Sequence, residues 1–281
     1  MGRIVVVSDI HLSPTHGFFW ENWRIARHLT NEIEPEAVIV NGDISVNGPD
    51  SDAEIAFAAS ALRDLRGPVL ALPGNHDVDD EPPGQDPEQI IDETRLARWR
   101  RIIGPDRWAY ESGDWLLLGV NAQLFGSGLP AENEQNLWLE EKLIAGIDRL
   151  IALFLHKPLF LDDPNEEATP ACLGPAARVQ LLERLDEAAV RLVVSGHLHQ
   201  HRERILDGIR YVWTPAVAFG ATEAFGGDPR CGFLVLDLRS DRADIEVQRP
   251  DALVSHDIAA IKQHGRYKFL REMPPSPGSR K

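Results

Sequence analysis

Over 3–77 the chain alternates short apolar runs with segments of helical periodicity. RIVVVSD (3–9), AVIVNGD (37–43) and PVLALPGNHD (68–77) are near-continuous apolar runs that end on polar residues, as strands buried on both faces do. WENWRIARHLTNEIEP (20–35) and DAEIAFAASALRDL (52–65) lie between them and read as helices, with Pro35 beyond the end of the first. This β-α-β-α-β opening predicts parallel strands joined by right-handed crossovers.

The rhythm then changes. The stretch 108–122 reads as two strands about a Ser-Gly-Asp turn, and 203–216 as a hairpin about Asp207-Gly208. Helices are expected over 133–146 and 175–189, strands over 149–160 and 191–197, and a last strand pair over 231–249. No repeat of fixed period is visible. The pattern predicts a mixed α/β protein with two sheets and helices outside them. One domain is expected over 1–250, followed by a C-terminal extension over 251–281 whose Pro-, Gly- and Ser-rich end (272–281) reads as mobile.

Composition narrows the partners more than the fold. Hydrophobic residues make up 43% of the 281 and charged ones 26%, ordinary for a globular chain. The apolar runs fall well short of the ~20 residues that span a bilayer, so no membrane span is expected. The chain enters a strand at once, without the pattern of a secretory leader, and Val6 breaks a myristoylation pattern at Gly2; a cytoplasmic location is the expectation. The net charge of −15 argues against a long nucleic acid as partner. The densest basic run, RLARWRRIIG (95–104), reads as the solvated side of an amphipathic helix. Cys172 and Cys231 have no zinc-finger spacing, cannot make a disulfide framework, and are expected to be inert. Oligomeric state is open, and the stretch 266–270 could pack on a partner or on its own domain.

Candidate chemistry lies at the strand ends. The first strand delivers Asp9 and His11, the second Gly42-Asp43, and the third Gly74-Asn75-His76-Asp77. His156 follows the 149–160 strand's apolar core, and His197 and His199 follow the 191–197 run. In open α/β sheets ligands bind outside the carboxyl ends of strands. Any one of these residues has an ordinary reading as a turn former or a core histidine. Their recurrence at five strand ends points to a site.

Carboxylates and imidazoles without thiolates suit divalent Mn, Fe, Co or Zn. They are too many for one tetrahedral ion and fit a pair about 3.5–4 Å apart. Asp43 is placed to bridge the pair. Asp9, His11 and His199 would complete one ion, and Asn75, His156 and His197 the other. His76 can then face the substrate as a general acid or as a cationic donor to a phosphoryl oxygen, with Asp77 orienting its ring. Lys157 would contact phosphate or be solvated; His201 and His16 are further candidates for substrate contact or loop residues.

These blocks, in this order, resemble the calcineurin-like metallophosphoesterase superfamily, whose DxH, GD, GNH(D/E), H and GHxH motifs stand here intact over roughly 3–215. The resemblance implies a four-layer αββα sandwich of two mixed β-sheets flanked by helices, and a dinuclear centre with a metal-bridging hydroxide as nucleophile. Phosphoprotein phosphatases of the superfamily carry an Arg where Asn47 stands, which disfavours a phosphomonoesterase. UDP-diacylglucosamine pyrophosphohydrolases replace the histidine that is His76 here. The wording most resembles bacterial class III cyclic nucleotide phosphodiesterases and glycerophosphodiesterases, though these often have His where Lys157 stands.

The expected function is therefore a phosphodiesterase acting on small diesters, such as 3′,5′-cyclic nucleotides or glycerophosphodiesters. A repair-type DNA exonuclease would want a coiled-coil insertion and a basic groove, and neither is visible. A non-catalytic scaffold of the retromer type would not need the intact ligand set. The loops 81–89, 125–133 and 161–175 are long, acidic and Pro/Gly-rich, as suits lids. Phe18, Phe19 and Trp20 either pack a helix start or offer a face to a nucleobase.

Overall fold

Alternation within the strands sends neighbouring residues to opposite faces, and that divides the core into three apolar layers. A computed structural model describes residues 2–256 apart from 16, 83, 85, 86 and 222. One sheet has the order β11-β10-β1-β2-β3, built from β1 (Gly2–Val7), β2 (Ala37–Asn41), β3 (Val69–Leu72), β10 (Phe233–Leu238) and β11 (Ala243–Gln248). The other has the order β4-β5-β6-β7-β9-β8. Its strands are β4 (Trp108–Ser112), β5 (Trp115–Gly119), β6 (Leu150–Phe154), β7 (Val190–Ser195), β8 (Arg202–Leu206) and β9 (Ile209–Trp213). Both sheets are mixed. β1, β2 and β3 run parallel, as do β5, β6, β7 and β9, while β10, β11, β4 and β8 pair antiparallel at the margins.

Ile4, Val6, Ile39 and Leu236 of the first sheet meet Leu117, Phe154, Val194 and Val212 of the second between the sheets. Val5, Val7, Val38 and Val40 face the other way, against α1 (Trp20–Ile33), α2 (Asp52–Leu62) and α4 (Glu93–Ile102). Leu118, Ile151, Leu153 and Val193 pack against α5 (Pro130–Ala145) and α6 (Pro175–Asp186). This is the expected four-layer αββα sandwich. With both faces of each sheet covered, the central strands read as continuous apolar runs.

The expected elements all appear, with shifted ends. The third strand stops at Leu72, and Asn75–Val78 forms a single turn, α3. That turn is imposed by Asp77, whose carboxylate accepts the Gly74 N–H at 2.9 Å and so folds the chain back. α5 starts at Pro130, earlier than the apolar periodicity implied, because proline suits the first helical turn. The basic run 95–104 lies largely in α4, which buries Leu96 and Trp99 and is capped by Asp92.

Of the residues expected to form a C-terminal extension, 251–256 pack on the rest of the chain. Asn22 donates to the Val254 carbonyl at 2.8 Å and accepts its N–H at 3.0 Å, and Leu253 is buried. The rest of it, including 266–270 and 272–281, lies outside the described residues. Among the described residues no helix is long and apolar enough to cross a membrane.

Candidate metal centre

The carboxyl ends of the parallel strands of both sheets converge. Main-chain bonds stitch them together: Asp9 N–H to the Gly42 carbonyl at 3.1 Å, His11 N–H to the Asp43 carbonyl at 3.0 Å, and Gly196 N–H to the His156 carbonyl at 2.8 Å. Asn41 bridges the two sheets, its amide donating to the Leu155 carbonyl at 3.2 Å. At these ends two groups form whose potential ligand atoms lie within 4.8 Å of one another, one of Asp9, His11, Asp43 and His199, the other of Asp43, His156 and His197. Asp43 belongs to both. Its carboxylate lies 3.7 Å from His11 Nε2 and 3.3 Å from His156 Nε2. In the first group His199 Nε2 is 3.3 Å from Asp9 Oδ1 and 3.2 Å from His11 Nε2. The first group holds Asp9, His11 and His199 and the second His156 and His197, with Asp43 common to both.

The backbone bends sharply to achieve this. Eight non-glycine residues have positive φ among those described, and five are Asp9, His11, Asp43, His197 and His199. Left-handed backbone costs free energy in such residues and gathers where function requires it. Two glycines make room. Gly42 has φ +91° and a Cβ there would lie 2.3 Å from the His156 ring; a Cβ on Gly74 would lie 2.2 Å from Asp43 Oδ1.

Main-chain carbonyls orient the imidazoles. His156 Nδ1 meets the Asn41 carbonyl at 2.8 Å and His199 Nδ1 the Phe219 carbonyl at 3.0 Å. A proton on each Nδ1 leaves the Nε2 lone pair facing the carboxylates. His197 Nε2 faces the Pro170 carbonyl at 3.4 Å.

The result is a nest of acceptors. Asp9 Oδ1, Asn75 Oδ1 and His156 Nε2 are all buried without a hydrogen-bond partner. Asn75 adjoins the nest through His76, whose N–H donates to Asp43 Oδ1 at 2.8 Å. Buried acceptors left facing one another are costly, and a cation removes that cost. The residues present therefore fit a pair of divalent ions.

The electrostatics agree. Burial alone would raise the Asp43 carboxyl, but His156 and His76 hold it well below its ordinary range. Asp9 falls to about 2, as His199 and His156 outweigh its burial. Burial pulls His11 well down, and burial with the nearby Lys157 charge takes His197 to about 3, so both rings are neutral donors. His156 would be lowered by burial, yet Asp43 and Asp9 push it up to about 10. A bound cation would displace that proton.

His76 stands edge-on to His11 at 4.7 Å between ring centres, and its Nδ1 meets the Val46 carbonyl at 2.9 Å. The expectation that Asp77 orients this ring is corrected here. Asp77 is fully buried and accepts Ser45 Oγ at 2.7 Å and the N–H groups of Gly74, Ser45 and Ile44 at 2.9, 3.0 and 3.2 Å. It joins the loop after β2 to the turn after β3, and the Val46 carbonyl orients His76.

Lys157 needs correction too. It neither reaches a free rim nor meets solvent: it is 1% exposed and its Nζ lies 2.8 Å from Asp80 and 2.9 Å from Glu81. Burying an ammonium requires such partners. His201 lies outside both groups. Its Nδ1 meets the Trp213 carbonyl at 2.9 Å, and its Nε2 is 3.4 Å from Glu203. His16 lies outside the described residues.

Phe219 was not signalled by any motif. Its ring stacks 4.1 Å from the ring of His199, and Phe19 is buried 5.1 Å behind it. Trp20 packs on Phe57, so both Phe19 and Trp20 take the packing role rather than the stacking one. Cys172 and Cys231 are buried, and burial pushes their thiols up to about 12 and about 11, away from the reactive thiolate.

Known proteins share this fold. A dimetal phosphatase from Danio rerio superposes with a TM-score of 0.60 at 16% identity, over 88% of this chain and 96% of that one, which shows the fold. In sequence, the serine/threonine-protein phosphatase CPPED1 of Danio rerio is 32% identical over 195 residues, 66% of this chain and 60% of that protein's length. A probable glycerophosphodiester phosphodiesterase, GpdQ of Arcobacter nitrofigilis, is 24% identical over 96% of this chain and 97% of its own. The 3′,5′-cyclic adenosine monophosphate phosphodiesterase CpdA of Escherichia coli is 24% identical over 76% and 75%. The calcineurin-like phosphoesterase family model matches residues 2–201, from β1 through the last of the candidate ligands. With fold, order of motifs and family match in agreement, the chain belongs to the calcineurin-like phosphoesterase family.

Proposed function

We propose that this chain is a binuclear-metal-dependent phosphodiesterase that hydrolyses small diesters, with Asp9, His11, Asp43 and His199 holding one ion and Asp43, Asn75, His156 and His197 the other. The observation that carries this reading is the sharing of Asp43 between two groups of buried acceptors beside His76. Two bound divalent cations supply Lewis-acid stabilisation of charge on the phosphoryl oxygens and of a water-derived nucleophile. The protein's own part is to hold the diester and manage a proton. With Nδ1 fixed on the Val46 carbonyl, His76 keeps Nε2 as the atom that donates to a phosphoryl oxygen or protonates the departing alkoxide.

A diester carries one negative charge and a monoester nearly two. Asn47 stands where an arginine would grip the dianion, and the Lys157 ammonium is already paired with Asp80 and Glu81. Both favour the diester. GpdQ and CpdA support the same reading by name and by their coverage of most of the chain. Lewis acidity and metal-ligand types leave Mn, Fe, Zn and Co all compatible. A cytoplasmic setting and a single catalytic domain over 1–250 belong to the same proposal. A second reading, a phosphomonoesterase, is favoured by the likeness to CPPED1, of which this chain spans 60%.

Chelator-stripped protein given Mn should hydrolyse bis-p-nitrophenyl phosphate faster than p-nitrophenyl phosphate. A preference for the monoester would reverse the two readings. No turnover in protein that holds two ions would leave a binding scaffold.

A further inference from the structure

Lys157 follows His156 at the end of β6, in the second sheet. Asp80 and Glu81 follow the Asn75–Val78 turn at the end of β3, in the first. Their side chains meet in the interior: Nζ lies 2.8 Å from Asp80 Oδ1 and 2.9 and 3.0 Å from the two oxygens of Glu81. The side-chain exposures are 1% for Lys157, 12% for Asp80 and 6% for Glu81, so the contact is sealed from water. Gln123, from the turn after β5, donates to Asp80 Oδ1 at 3.2 Å and adds a second tie from the same sheet.

The path from this contact to Asn75 is short and rigid. Asp79 N–H donates to the Asn75 carbonyl at 3.0 Å, and Asp80 is held by Gln89 and Ile91 through main-chain bonds of 3.1 and 2.8 Å. Thus His156 and Asn75 come from different sheets but are cross-linked one residue away from one and five from the other. The first ligand group is held otherwise. Asp9, His11 and His199 are fixed by main-chain bonds to Gly42, Asp43, Ala218 and Ala221 and by the Phe219 carbonyl, none of which involves Lys157.

We infer that Lys157, with Asp80 and Glu81, is an inter-sheet clamp that positions Asn75 against His156 and so sets the affinity of the second metal site without setting that of the first. The inference rests on the binuclear reading above. A buried ionic cluster of this kind fixes geometry more than it adds stability, and partners behind metal ligands commonly change affinity without touching the ion.

The test is Mn titration of the full, chelator-stripped chain by calorimetry, with circular dichroism to verify folding. Wild-type protein should show two binding steps. In Lys157→Met the weaker coupling of the sheets should raise the second dissociation constant by about 10- to 100-fold while the first stays within about twofold. Lys157→Met/Asp80→Asn/Glu81→Gln has no unpaired buried charge; it provides the same test if the single variant fails to fold. Lys157→Arg, which keeps the charge, should restore most of the second step. Equal weakening of both steps in the folded triple variant would reduce the cluster to a general structural role, and two unaltered steps would overturn the clamp outright. Wild-type protein with no manganese uptake would overturn the metal reading, and the clamp with it.

Discussion

His76 is held by one ring nitrogen, on the Val46 carbonyl, and by its own N–H, on Asp43. It therefore needs no metal for its placement. His76→Ala should keep two bound ions and lose turnover by about 10²–10⁴-fold, the usual worth of a positioned acid. Metal content and diester turnover measured on one preparation decide this, and loss of metal would make His76 part of the binding set instead. At this scale the sequence was highly legible. Residue types at strand ends named the acceptors, because a metal demands particular side chains. It was silent on the groups behind them. Asn41, Val46, Pro170 and Phe219 act through carbonyls, which every residue carries, so no side-chain pattern marks them.

Asp77 works between elements. Four donors from the loop after β2 and the turn after β3 converge on its carboxylate. Asp77→Ala would leave these buried donors without an acceptor and should cost about 3 kcal/mol or more of stability. Asp77→Asn keeps one acceptor oxygen and should cost less than half of that by the same reasoning. Urea unfolding of the metal-free protein measures both, and near-equal losses would mean that shape rather than hydrogen bonding matters. Element boundaries were the part of the sequence most easily misread. Periodicity marked where apolar faces lie, but the end of β3 was set by a carboxylate that folds the chain back.

Over the whole molecule, buried charge makes stability depend on pH. Burial raises Glu81 to about 7 from an ordinary 4.5, with Lys157 lowering it and Asp80 raising it. An acid raised in the folded state binds its proton more tightly there than in the unfolded chain. Its contribution is thus fullest below about 4.5 and is lost as pH rises through about 7. Asp77, raised to about 7 by burial and by Asp43, acts in the same direction. The stability of the wild type relative to Glu81→Gln should therefore fall by on the order of 2 kcal/mol between pH 4.5 and 8. Urea midpoints of both metal-free proteins across that range check it, and a constant difference would show that Glu81 stays ionised.

The sequence by itself determined which residues are of a kind that can bind a cation, the strands that carry them and the mixed α/β class with two sheets and helices outside. Each of these follows from local chemistry: apolar alternation, polar strand ends and the side chains a metal accepts. Only the tertiary structure decided how the sheets face each other and what Lys157 meets. Asp80 and Lys157 are 77 positions apart, and Asp9 and His197 are 188 apart. Nothing in the local pattern encodes such a meeting, because it arises when two sheets bury their inner faces against one another and bring their strand ends to one rim.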